Sequence, residues 1–263
     1  MDRLQIKQAS PRSAIPALLG LVIAFLALIL SSTFTSAHPV AGLPLDHFKC
    51  YQTEGPAVLA TVLLEDQFDA AAGIVETAVV GSPARFCNPV QKSHKGQTRI
   101  KHEENHLVFY LTNAVPTPPQ TVVVSNQFDP ATGPQTLQLL NNHVVLAVPT
   151  EKQPHGPTTD LDHFKCYRAT GQPINDRVGL KDQFHRERVK VLEPFRFCNP
   201  VEKNHAGAVT PILRPDDHLV CYVITIRPFT TTVAVTNQFF PGQTLTVFDA
   251  DRLCVPSQKL HAP

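Results

Sequence analysis

The sequence has no tryptophan, one methionine and only 12 glycines in 263 residues. It contains no Cys-x-x-Cys pair, so the usual spacing of dithiol redox sites and zinc ribbons is missing. It also lacks a Gly-x-Ser-x-Gly elbow and a Gly-rich phosphate loop, the signatures of two common catalytic designs. Charge of one sign does not dominate, with 23 Lys+Arg against 22 Asp+Glu. Nucleic-acid partners, which call for concentrated basic faces, are therefore not expected. Outside residues 14–30 no apolar run approaches the ~20 residues that cross a bilayer as a helix.

What is present begins with an export signal. Arg3, Lys7 and Arg12 precede the apolar run, and Thr35-Ser36-Ala37 offers a small-residue cleavage site. The expected signal peptide is 1–37, leaving His38 at the mature N-terminus and no membrane span. An uncleaved anchor is the competing reading. Six cysteines in an exported chain point to disulfides.

The rest of the sequence is repetitive. LDHFKCY occurs at 45–51 and again at 161–167. RFCNPVQKSH (85–94) returns as RFCNPVEKNH (196–205), and HLVFYLT (106–112) as HLVCYVIT (218–225). Each half is itself double. A His-x-x-Cys-Tyr signature starts at His47, His106, His163 and His218, with Phe109 replacing one cysteine. An acid or amide before Gln-Phe appears at 66–68, 126–128, 182–184 and 237–239, and x-x-Pro-x-x-Lys ends each unit at Lys92, Lys152, Lys203 and Lys259. Four units follow one another in the same register.

Three units hold both cysteine positions: Cys50 with Cys87, Cys166 with Cys198, and Cys221 with Cys254. Unit two lacks both, carrying Phe109 and Ala147 instead. Joint presence and joint absence predict one bridge within each of the other three units. The chain-entropy argument values each such loop at roughly 4 kcal/mol.

HLVFYLT and HFKCY alternate in character, TVVVSNQF and TTTVAVTNQF are β-branched, and 24 prolines punctuate short segments. The expected fold is all-β. It comprises two tandem disulfide-stapled β-sandwich or barrel domains of two units each, over 38–152 and 161–263, with a polar linker at 153–160. A four-bladed β-propeller is the alternative. The combination HFKCY, DQF, FCNPVxK, HLVCY, NQF and LCVPSxK resembles an uncharacterised repeat family of secreted bacterial proteins, across residues 45–259. That resemblance implies export and modular β architecture, and brings no catalytic residues.

Repetition also sorts the candidate chemistry. His47, His106, His163 and His218, with His38, form the alternative reading of a copper or zinc protein, but recur as framework would. Asp46, Asp66, Asp162 and Asp182 resemble paired catalytic carboxylates. Asp66 and Asp182 are matched by Asn126 and Asn237, which suits turn bonding better than proton transfer. No catalytic residue and no cofactor is assigned. Function is expected where the units differ. One such place is the polar connection 92–106. The other is 181–191, where Lys181, His185, Arg186, Arg188 and Lys190 form a candidate anion-binding set. The leading reading is a secreted, non-enzymatic binding or structural module whose extracellular ligand is an acidic glycan or a protein.

Overall fold

The computed structural model describes residues 45–114, 120–129 and 133–261. The expected signal peptide and His38 lie outside them. Residues 42–263 form one compact unit, and among the described residues it is almost entirely strand.

Unit one contributes β1 (Phe48–Glu54), β2 (Ala60–Asp66), the short α1 (Gln67–Ala72), β3 (Glu76–Pro89), β4 (Gln91–Ser93) and β5 (Gln97–Thr98). Unit two contributes β6 (His106–Thr112), β7 (Gln120–Ser125) and β8 (Gln135–Lys152). Unit three contributes β9 (Phe164–Thr170), β10 (Asp176–Lys181), β11 (Arg186–His205) and β12 (Ala208–Thr210). Unit four contributes β13 (His218–Ile224), β14 (Thr231–Asn237) and β15 (Phe240–His261).

The His-x-x-Cys-Tyr strands and the long strands alternate in a closed antiparallel circuit: β1, β3, β6, β8, β9, β11, β13, β15 and back to β1. Each is paired on both sides, so the circuit exposes no strand edge. Its inward positions carry the cysteines. Cys50 faces Cys87, Cys166 faces Cys198 and Cys221 faces Cys254, and all three pairs are bonded. At the fourth equivalent place Phe109 faces Ala147. With Phe48, Leu107, Phe164 and Leu219 these residues make one buried cluster. Sulfurs of different bridges touch within it, Cys50 Sγ lying 3.7 Å from Cys254 Sγ. One large and one small apolar side chain thus fill the volume that a disulfide takes elsewhere.

Each long strand does two jobs. At irregularities near Pro83, Leu140, Pro194 and Ala250 the register shifts, and bulges of this kind bend a strand. Before the bend the strand forms an outer hairpin with β2, β7, β10 or β14. After it, the strand enters the circuit. The hairpins cover the outward side chains of the circuit, which explains why Tyr51, Tyr110, Tyr167 and Tyr222 are all buried.

The hairpins do not stay at home. β2 pairs with the end of β11, β7 with the end of β15, β10 with β4 and β14 with the end of β8. Each unit therefore lends its hairpin to the unit two places along. The repeats expected as separate domains over 38–152 and 161–263 share one sheet, because every such pairing crosses between them. The segment 153–160 joins β8 to β9, which pair with each other. Nor is the sheet divided into four blades, since hydrogen bonding runs through all fifteen strands.

Candidate functional site

The copied polar residues hold units to one another. Asp66 accepts from Phe68 and Asp69 amides, capping α1, and also from the Tyr167 hydroxyl at 2.7 Å and the Asn199 amide at 2.9 Å. Asp182 repeats this with Tyr51 at 2.6 Å and Asn88 at 3.3 Å. In the other two units an amide replaces the acid and donates instead, Asn126 to Tyr222 at 3.0 Å and Asn237 to Tyr110 at 2.9 Å. The phenylalanine of each Gln-Phe packs edge-on against the same tyrosine, with ring centres 5.1–5.6 Å apart. Lys92, Lys152, Lys203 and Lys259 each stand over the phenylalanine of the next unit, unit four closing on unit one.

The signature histidines belong to the same latch. His47 meets Gln127, His106 meets Gln183 at 3.0 Å, and His163 meets Gln238 at 2.8 Å. Burial pushes His47 and His163 down to about 3, and His106 and His218 to about 4. All four are neutral; His47, His106 and His163 each partner the amide of another unit, while His218 Nδ1 meets the Asp216 carbonyl. Among the described residues no group of three or more His, Cys, Asp or Glu is arranged to hold a metal ion. Residues 102–106 do spell His-Glu-x-x-His. That pattern serves zinc when a helix puts both imidazoles on one face. Here it is a turn entering β6, with His102 beside Glu104 and His106 turned inward onto the Glu104 carbonyl and Gln183. Asp46 and Asp162 likewise accept backbone amides, of residues 101–102 and 213–214.

The units differ most on the outer face of one hairpin. In β10 and β11, Val178, Leu180, Glu187, Val189 and Val191 point inward. Alternation leaves Arg177, Lys181, Arg186, Arg188 and Lys190 on the other face. Lys181 lies directly opposite Arg186, and Arg177 opposite Lys190. Like charges in such positions cost a few tenths to about 1 kcal/mol. The equivalent faces carry no cation: Thr61, Leu63, Glu65, Thr77 and Val79 in unit one, Thr121, Val123, Thr136 and Gln138 in unit two, Thr232, Ala234, Thr244 and Thr246 in unit four.

This face opens into a groove of about 880 Å³ that also takes in Arg227, Gln91 and Ser93. A second hollow of about 450 Å³ shares Lys181 and Gln91 and adds Arg99. Among the described residues the one carboxylate in the main groove, Glu187, is turned into the protein, pairs with the buried Lys49 and lies 3.9 Å from Arg227. It leaves most of the groove's positive charge uncompensated. Of the sequence candidates, Lys181, Arg186 and Arg188 come together here. His185 does not join them: its Nε2 lies 3.2 Å from both Lys49 Nζ and Glu187 Oε1, and its ring packs on Phe229. Lys190 shares the face but sits at the far end of the hairpin, beside Thr225. Arg177 and Arg227 escape notice in the sequence, because they reach the groove only through the pairing of β10 and the turn after β13.

Comparison with known proteins gives one match. Residues 111–256 fit a family described as a repeat of unknown function (DUF7450), and since this is more than half of the chain, the protein belongs to that family. No curated protein and no solved structure matches it.

Proposed function

We propose that this repeat protein is exported and acts as a non-enzymatic binding module, with the groove on the third hairpin as its site for an acidic chain such as a sulfated or uronic-acid glycan. One observation carries the reading: of four hairpins built alike, one alone presents a row of cations. The other three show that the fold does not need them. The row also places like charges opposite one another, at a cost that binding an anionic partner would offset. Guanidinium forks suit sulfate and carboxylate groups spaced along an extended ligand. An open groove walled by strand suits a chain better than an enclosed small molecule. Export is supported by the three bridges, with no free cysteine among the described residues, since such bonds persist in oxidising compartments. The N-terminal segment has the pattern of a signal, and among the described residues no helix is long and apolar enough to cross a membrane.

The test is chromatography on an immobilised anionic polysaccharide. The protein should be retained and released by salt, and the Arg186→Ala plus Arg188→Ala variant should elute several-fold earlier in conductivity. Identical elution of the two proteins would refute the groove as the site.

A further inference from the structure

A second set of cations sits inside the circuit. Two residues before the second half-cystine of each bridge the sequence places arginine: Arg85 before Cys87, Arg196 before Cys198 and Arg252 before Cys254. Spacing of two puts all three on the inward face, at the end where the long strands bend away. Arg168, two residues after Cys166 and directly opposite Arg196, makes a fourth. Unit two has Val145 at the equivalent position, buried in the apolar cluster. The fold accepts an apolar side chain there, so packing alone does not call for arginine.

The charges around this cluster do not balance. Arg85 forms a two-pronged pair with Asp251, at 2.9 and 2.6 Å, and Arg252 also reaches Asp251, at 3.2 Å. Glu193, which is exposed, is the other carboxylate acting on the cluster. Among the described residues, Arg85, Arg168 and Arg252 thus share two acids. Phe195 lies between two of them, with Arg168 Cζ 3.5 Å and Arg252 Cζ 3.8 Å from its ring centre. Two groups so near cannot occupy one face of a ring, so they flank it on opposite faces. Stacking of this kind leaves the in-plane N–H donors available. The Nε of Arg252 is buried with no hydrogen-bond partner. Burial first, then Arg85, Arg168 and Arg252, pushes Arg196 down to about 9. A cation set of this kind is costly to bury unless an anion joins it.

We propose that this end of the circuit binds a tetrahedral oxyanion, a phosphate or sulfate group, held by Arg85, Arg168, Arg196 and Arg252. The site is distinct from the groove: Arg196 shares β11 with Arg186 and Arg188 but lies past the bend near Pro194, and Arg85, Arg168 and Arg252 stand on β3, β9 and β15.

Calorimetric titration of the oxidised protein with inorganic sulfate and with inorganic phosphate, against chloride at matched ionic strength, tests it. One saturable site is expected, with the Arg252 Nε–H resonance of the unaltered protein shifting in step. Asp251→Asn removes a carboxylate while keeping its shape, and should tighten binding roughly tenfold. Arg168→Gln should abolish it. A sulfated monosaccharide that competes with sulfate would show that the group is read on a glycan, and failure to compete that the free ion is taken. No heat and no Arg252 shift beyond chloride would overturn the proposal. So would binding that survives Arg168→Gln but is lost in Arg186→Ala plus Arg188→Ala, which would assign the anion to the groove.

Discussion

At the residue scale, the protein keeps many ionisable groups out of water, several of them with set partners. Lys165 is fully buried between Asp69 and Glu76, and Lys49 is held by Glu187. Such pairs gain little net stability but are costly to break singly, so they favour one arrangement of units over others. The buried histidines make a sharper statement. In the folded state they stay neutral well below the ordinary value of about 6.5, whereas in the unfolded chain they charge as soon as the pH falls past it. The unfolded state then binds more protons, so stability is complete at pH 7 and is lost as pH falls from 6.5 towards 3–4. Each histidine accounts for roughly 2 kcal/mol of that loss by pH 5. Asp69, raised to about 6 by burial first, works in the opposite direction, so a variant isolates the effect better than the raw profile. His163→Gln preserves an acceptor for Gln238 and should flatten the fall of Tm between pH 7 and 4. Parallel profiles for the two proteins would contradict the assignment.

At the scale of the element, the repeated strand was readable in advance and its partners in part. The bridges follow from cysteines that come and go in pairs, and the strands from alternation in HLVFYLT and HFKCY. The bulges that let one long strand serve both hairpin and circuit were not readable, because they depend on two neighbours at once. Unit two supplies a natural experiment on the bridges. If Phe109 and Ala147 replace a disulfide by filling its volume, the same pair should serve elsewhere. Cys166→Phe plus Cys198→Ala should therefore unfold at higher temperature than Cys166→Ala plus Cys198→Ala, by an amount in the range of 1–3 kcal/mol typical of cavity filling. The reverse order would mean that the sites are not interchangeable.

At the scale of the whole molecule, each hairpin, with the acid or amide and the phenylalanine at its end, serves the unit two places away. Nothing in four near-identical copies of a motif says which copy it will meet, and that is why Asp66 with Tyr167, or Asn126 with Tyr222, could not be foreseen. The same ambiguity hid Arg177 and Arg227 from the candidate site, while Arg186 and Arg188 were legible as departures from the repeat. Exchange of arms also means that neither half can complete itself. Expressed alone, residues 157–263 should not be a folded monomer. They should form a dimer in which two copies restore four units, or remain unfolded until residues 38–156 are added. Sedimentation of the isolated half checks this, and a stable folded monomer would show that the halves are autonomous.

The division of labour between copied framework and uncopied face is tested most directly by the salt dependence of affinity for an anionic oligosaccharide. Each cation in contact with a charged chain releases counterions and adds about one to the slope of log K against log salt. The account predicts a saturable interaction whose slope falls by about two in Arg186→Ala plus Arg188→Ala, with the melting temperature unchanged or raised. An equal slope in the two proteins, or binding insensitive to salt, would contradict it.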